Sequence, residues 1–219
     1  MDFVQARNRM VQVQIAGRGV RDPAVLKAMR TVPREAFMAP GCEELAYEDS
    51  ALPIAEGQTI SQPFIVGAML AGAQLDHRDK VLEVGAGSGY AAAVISRIVS
   101  KVLAIERLAA LTEAARERML ALGYDNVALE TGDGSCGWPE QAPFDAILVS
   151  AGGPKIPDAL KSQLAVGGRL VIPVGAADEQ RLVRLTRTGQ SSFEQDDLCA
   201  VRFVKLIGAG GWEESDPAR

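Results

Sequence analysis

The sequence predicts an α/β fold of the doubly wound type, with a mostly parallel sheet and a helical N-terminal addition. Three observations carry that prediction. From residue 80 onward, short apolar runs alternate with helix-like stretches, the pattern of a parallel sheet covered on both faces. A glycine-rich turn, Gly85-Ala86-Gly87-Ser88-Gly89, follows the first of those runs, at the place where such sheets bind ligands. The 219 residues are 47% apolar and 23% charged, an average soluble composition in a chain long enough to bury a core without disulfides or metal.

The elements follow in order. Asp22-Pro23 is a helix start, with Asp as cap and Pro at the first helical position; Val25, Leu26 and Met29 give that helix an apolar face. Residues 57–75 carry no charge until Asp76. Their apolar part, 64–73, is too short to cross a bilayer core of ~30 Å and reads as a buried helix. Residues 80–84 (KVLEV) and 101–105 (KVLAI) are strands flanking a helix over 90–98. A second helix over 108–122 ends at Gly123, a good C-cap. Strands follow at 127–129, 144–149 and 169–174, with a helix over 157–164 stopped by Gly167-Gly168. Residues 181–186 and 201–207 have no helix between them and predict a closing antiparallel pair. We read 1–208 as one domain, 1–78 its helical part and 79–208 its cofactor-binding sheet. The tail, 209–219, is Gly-rich and then acidic with no packing pattern, as expected of a flexible end or a linker.

Charge and cysteine usage exclude several functions. The net charge of −5 offers no field for nucleic acid. Cys42, Cys136 and Cys199 are far apart, and His77 is the only histidine, so no Cys/His metal site is expected. Free thiols suit a reducing compartment, and residues 1–8 lack the apolar run of a signal peptide; a cytoplasmic monomer away from membranes is the expectation. Residues 1–34 carry seven basic and two acidic side chains, whereas 35–77 carry seven acids and neither Lys nor Arg. Both segments read as solvated faces, with mutual complementarity as the alternative.

The glycine turn admits a ligand close to the backbone, and the helix after it favours an anionic group. Its spacing is G-x-G-x-G, one residue tighter at the third glycine than the dinucleotide fingerprint. Glu83, at the strand end beside the loop, would repel a pyrophosphate but attract the ammonium of a methionine moiety, as in S-adenosylmethionine. Glu106, 21 residues after Gly85, suits two ribose hydroxyls. Asp133, in Gly132-Asp133-Gly134, is either an adenine contact or a turn residue.

In this order the motifs resemble those of the protein-L-isoaspartate (D-aspartate) O-methyltransferase family. The most specific segment runs Gly132-Asp133-Gly134-Ser135-Cys136-Gly137-Trp138 and on to Ala142-Pro143-Phe144-Asp145-Ala146-Ile147. Ala51-Leu52-Pro53-Ile54 leading into Gly57-Gln58-Thr59-Ile60-Ser61-Gln62-Pro63 is similar to the family's catalytic loop. Val32-Pro33-Arg34-Glu35, Pro173-Val174-Gly175 and Val201-Arg202-Phe203-Val204 also match. The resemblance implies methylation of the free α-carboxylate of L-isoaspartyl residues in proteins and peptides, from S-adenosyl-L-methionine to leave S-adenosyl-L-homocysteine. The ester then closes to a succinimide and starts repair. It makes Ser61 the active-site serine and puts Gln58, Thr59, Ile60, Gly85, Glu106, Asp133 and Gly134 on cofactor positions. Glu83, Gly87 and Gly89 join them from the loop reading.

No general base is needed, because an α-carboxyl of pKa ~3.5 is already ionised at neutral pH; what remains is alignment and exclusion of water. Ser61 can orient the carboxylate, and Ser-Gln-Pro also makes it a helix N-cap. Two departures border the peptide site. Gly153 and Lys155 stand where the family usually has Ala or Pro and often Glu, and Lys205 stands where R-F-V-P-L would carry proline. Facing the site, Lys205 would attract acidic flanks; on a solvent-facing edge strand it would discourage pairing. The alternatives kept are an aspartate O-methyltransferase acting on a biosynthetic peptide and a non-catalytic S-adenosylmethionine-binding module. A nicotinamide oxidoreductase is disfavoured by Glu83 and the loop spacing. A nucleic-acid or amine N-methyltransferase is disfavoured by Ser150-Ala151-Gly152-Gly153-Pro154, where an Asn/Asp-Pro-Pro-aromatic segment would stand.

Overall fold

A computed structural model describes residues 1–214 of the chain. Its helical first third begins with α1 (Phe3–Met10), passes a π turn over Val11–Ile15 and reaches α2 (Pro23–Thr31). Asp22 caps α2 as expected, accepting from the N–H groups of Ala24 (2.8 Å) and Val25 (3.2 Å). A short hairpin, β1 (Leu52–Pro53) against β2 (Thr59–Ile60), leads into α3 (Pro63–Ala73). Then come β3 (Lys80–Val84), α4 (Tyr90–Ser96), β4 (Lys101–Glu106), α5 (Ala109–Ala121), β5 (Val127–Thr131) and β6 (Phe144–Val149). The chain closes with α6 (Asp158–Ser162), β7 (Leu164–Gly175), β8 (Gln180–Arg187) and β9 (Phe193–Val201).

Seven strands form one sheet in the order β5-β4-β3-β6-β7-β8-β9. The strands from β5 to β7 are parallel, and β8 and β9 run antiparallel. The chain builds outward from β3 to β5, then crosses back to lay β6 on the other side of β3. That reversal leaves a crevice at the carboxyl ends of β3 and β6, the place where open α/β sheets take ligands.

Period-2 alternation sends neighbouring residues to opposite faces. Val81, Val102, Ala146, Leu148 and Val171 join the larger core, beneath the N-terminal helices and α3 to α5. Leu82, Val84, Leu103, Ile147 and Val149 join a smaller one with Leu160 of α6. The second face is less helical than expected, since α6 has five residues and two 3-10 turns replace a helix between β5 and β6. Among the described residues, no helix is long and apolar enough to cross a membrane.

Three expectations are corrected. The strand paired with β8 is β9 (FEQDDLCAV), not 201–207; its polar residues suit an edge that meets solvent. Residues 202–207 instead leave the sheet and cross its carboxyl end, where Lys205 bridges Gly152. The tail, which shows no packing pattern as a sequence, docks as far as residue 214: Trp212 bridges Ile207, its indole N–H donates to the Gly152 carbonyl (3.0 Å), and Arg107 pairs with Glu214 (2.9 Å). These contacts are made by single residues to distant backbone and side-chain groups, which composition does not report. Residues 215–219 lie outside the described ones. Third, the basic and acidic segments are not only solvated faces: Arg9, Arg21, Lys27, Arg30, Glu44 and Glu48 are exposed as expected, but the two segments also meet. Arg7 pairs with Glu35 and Arg18 with Asp49, each at 3.0 Å, and Tyr47 donates its hydroxyl proton to Glu35. His77 is exposed beside Asp76, the solvated place its loop suggests.

One buried ion pair locks the sheet to α3. Arg169 of β7 donates to the carbonyls of Ala73 and Gln74 and to the Asp79 carboxylate, all within 2.8 Å. Replacing Arg169 by Met leaves that carboxylate buried without its partner, a loss of about 3–5 kcal/mol. Chemical denaturation is expected to register it as a lower midpoint with an unchanged slope.

Candidate functional site

The crevice opens into two adjoining clefts. One, of about 360 Å³, is lined by six of the expected cofactor residues: Gln58, Thr59, Gly85, Gly87, Glu106 and Gly134. The other, of about 570 Å³, is lined by Ser61 and Thr59 on one side and by Cys199 to Val204 on the other, with Arg18 at its rim. Thr59 and Ser150 belong to both. Ile60, Ser61 and Glu83 border a smaller cavity under the glycine turn.

Backbone geometry builds the turn. Gly85 and Gly87 have φ of 85° and 53°, a region glycine enters without strain. Glu106 fixes the turn from the next strand: one oxygen accepts from the Gly87 N–H (2.9 Å), the other from the Leu108 N–H (3.0 Å). A carboxylate has about four acceptor directions, so each oxygen keeps capacity on the cleft side.

Gly89 and Asp133 do not line this cleft. A Cβ on Gly89 would lie 2.7 Å from the Met119 methyl and 3.3 Å from Ala115, so this glycine lets α4 approach α5. Asp133 caps a 3-10 turn, accepting from the Ser135 N–H (2.9 Å) and hydroxyl (2.6 Å), and its second oxygen accepts from the Ala209 N–H (2.7 Å). Gly134 is there for space, since a Cβ would run into Val84.

Glu83 has the parity of Val81 and points beneath the turn, among Val66, Leu70, Ala91 and Leu148. It is 1% exposed, and neither carboxylate oxygen has a hydrogen-bond partner. Burial, and then the nearby charge of Glu106, push its pKa from 4.5 up to about 8. A buried carboxyl without a donor is costly and is satisfied by a cation entering the cavity. The donor set therefore fits the ammonium of a methionine moiety.

Ser61 is not a helix cap. Gln62 occupies the cap position of α3 and makes no side-chain cap bond; its amide instead reaches Asp49 (2.9 Å). Among the described residues the Ser61 hydroxyl has no hydrogen-bond partner, and Ser61 lines both the larger cleft and the small cavity under the glycine turn. Lys205 is exposed, as the solvent-facing expectation has it, but on the segment that crosses the sheet and not on an edge strand. It lines the smaller cleft, with its ammonium 5.6 Å from the Trp212 ring centroid, within cation–π range. The cations that line the larger cleft are Arg18 and Arg202. Ser150 is the residue that motif reading missed. Its signal was its place just past a buried strand, beside the reversal point.

Comparison with known proteins agrees with this geometry. Residues 5–211 match the family described as protein-L-isoaspartate(D-aspartate) O-methyltransferase. The chain is 58% identical to protein-L-isoaspartate O-methyltransferase 1 of Geotalea uraniireducens (strain Rf4), covering 96% of this chain and 97% of that one. It is also 58% identical to the protein-L-isoaspartate O-methyltransferase of Methylorubrum extorquens (strain PA1), over 96% and 92%. Among solved structures, a protein-L-isoaspartate O-methyltransferase superposes with a TM-score of 0.84 at 30% identity, covering 94% of this chain and 67% of that one. A Plasmodium falciparum protein described as a β-aspartate methyltransferase, solved with S-adenosyl-L-homocysteine, gives 0.79 at 25% identity, over 92% and 98%.

The Glu83 carboxyl makes stability depend on pH. Between pH 4.5 and about 8 the folded protein keeps a proton that the unfolded chain has released, so stability falls as pH rises through that window. Glu83→Gln removes the titration. Thermal melting is expected to show the variant above the wild type at pH 8–9, with the gap closing toward pH 5. An equal gap at every pH would contradict a carboxyl that is protonated in the free protein.

Proposed function

The chain belongs to the protein-L-isoaspartate(D-aspartate) O-methyltransferase family, and from that premise we propose that its two clefts carry methyl transfer from S-adenosylmethionine to the free α-carboxylate of L-isoaspartyl residues. The observation that carries this reading is the Ser61 hydroxyl, unpartnered between the open cleft and the cavity under the glycine turn that Glu83, Gly85 and Gly87 also line. When bound, S-adenosylmethionine supplies a methyl group on a sulfonium. Glu83 gives up its proton and holds the ammonium, while Gly85 and Gly87 let the methionine part approach the backbone. Glu106 accepts from the ribose with the capacity left after binding Gly87 and Leu108. Gln58, Thr59 and Ile60 close the cleft over the reacting centre and exclude water. Asp133 braces the adenosine side through its bond to Ala209, and Gly134 makes room there.

The peptide takes the larger cleft, along residues 199–204, with its carboxylate at Ser61. The hydroxyl donates one hydrogen bond and fixes the oxygen that attacks. The carboxylate is already ionised, so Ser61 moves no proton. An α-carboxylate displaced by one backbone carbon reaches Ser61 by a path that an ordinary aspartyl side chain does not follow. Damaged proteins and peptides are the partners, met by a monomer in the cytoplasm. The free thiols, the net negative charge and the lack of a membrane-crossing helix among the described residues support that setting.

Three measurements test these assignments. Labelled S-adenosylmethionine is expected to esterify isoaspartyl peptides and leave matched aspartyl peptides nearly untouched; equal labelling would point to aspartate methylation instead. Ser61→Ala is expected to lower kcat by ~10–100-fold with cofactor affinity retained, the scale for one orienting contact. In calorimetry, Glu106→Ala is expected to weaken cofactor binding by ~1–3 kcal/mol, the range for hydrogen bonds to a charged group.

A further inference from the structure

Behind the catalytic loop lies a charge that methyl transfer does not use. Arg34 is 0% exposed. Its Nε donates to the Ala46 carbonyl (2.7 Å) and its Nη2 to the carbonyl of Ser61 (2.8 Å). The guanidinium carbon sits 4.7 Å from the centroid of Tyr90, the first residue of α4. Nη1 has no hydrogen-bond partner, and neither has the Tyr90 hydroxyl. Among the described residues no carboxylate pairs with Arg34.

We infer that Arg34 is a positioning residue for methyl transfer, pinning the Ser61 backbone to the helix that follows the cofactor turn. The inference rests on the reading of Ser61 given above. The Ser61 hydroxyl is held by no side chain, so its direction is set by its own backbone, and the backbone carbonyl is tied to Arg34. Through Tyr90 the same guanidinium touches the start of α4, which the glycine turn feeds. The reacting serine and the cofactor turn are thus registered against one rigid, planar group with a fixed fork of donors. Misplacing a reacting group by about 1 Å costs on the order of 100-fold in rate.

Energetics separate this role from a structural one. A buried cation whose partners are neutral carbonyls carries a desolvation cost. In Arg34→Met the relief of that cost is set against leaving the Ala46 and Ser61 carbonyls without this donor, so the two effects on stability offset each other. Burial accordingly pulls the Arg34 pKa below the ordinary arginine value. A merely structural residue would lose stability and activity together on replacement; a positioning residue loses activity alone.

The experiment compares wild type, Arg34→Met, Arg34→Lys, Ser61→Ala and the Ser61→Ala/Arg34→Met pair. It measures kcat and KM on an isoaspartyl peptide, S-adenosyl-L-homocysteine affinity by calorimetry, and melting temperature. Arg34→Met is expected to lower kcat by about 10-fold or more, with cofactor affinity within about twofold and a nearly unchanged melting temperature. Arg34→Lys is expected to recover part of kcat through one carbonyl. In the Ser61→Ala background, Arg34→Met is expected to cost less than about threefold, because its effect runs through that serine. Wild-type kcat in Arg34→Met overturns the inference. So does an equal fold-loss with and without Ser61, or a loss of folding in both Arg34 variants. If instead Ser61→Ala alone leaves kcat intact, the reading of Ser61 is what fails.

Discussion

A parallel strand cannot reach its neighbour without a crossover, and where two adjacent strands send their crossovers in opposite directions the gap between their carboxyl ends stays uncovered. In this chain those strands are β3, which continues to β4 on one side, and β6, which continues to β7 on the other. The uncovered gap forces the rest of the site. The glycine turn and Ser150 face each other across it, and Glu106 reaches over from β4 to hold the turn. Everything else near the site closes part of that gap: the hairpin before α3 from above, residues 202–214 from the side.

The site is also where the protein buries titratable groups without an ionic partner. Glu83 lies below the turn with no donor, and Arg34 lies behind the catalytic loop with only carbonyls as partners. Elsewhere buried charge is matched, as in Arg169 with Asp79 and Arg7 with Glu35. Carboxylates and guanidinium groups away from water carry a desolvation cost, and here that cost falls on the two groups next to the reacting centre. One of them is relieved when a cationic ligand arrives; the other is held in place by the fold.

The centre of the sheet was legible because its strands are short, apolar and separated by helical periods. β3, β4 and β6 appear at or within one residue of their expected bounds. β9 was not, because an edge strand exposed to water carries FEQDDLCAV in place of an apolar run. Ser61 was assigned to a cap by a local rule, but the chain enters α3 from a hairpin that puts Gln62 in that place. Of the glycines that line the smaller cleft, Gly85 and Gly87 were readable from glycine spacing and Gly134 only from the family resemblance. Gly89 belongs to the same spacing for another reason, helix packing. Arg34 could be quoted as part of a motif, yet only the three-dimensional structure ties it to the Ser61 carbonyl.

The segment from 202 to 214 is made after every strand of the sheet. Its contacts are with early parts of the chain: Gly152 after β6, Asp133 after β5, Arg107 after β4. During synthesis the parallel strands can pair and the glycine turn can form while this segment is still held by the ribosome. The cleft then stands open on the side of Lys205 and Ile207. The last wall of the cofactor cleft is therefore supplied by a segment that follows every strand of the sheet in sequence, so pairing of the parallel strands alone leaves the cleft open until residues 202–207 cross its end.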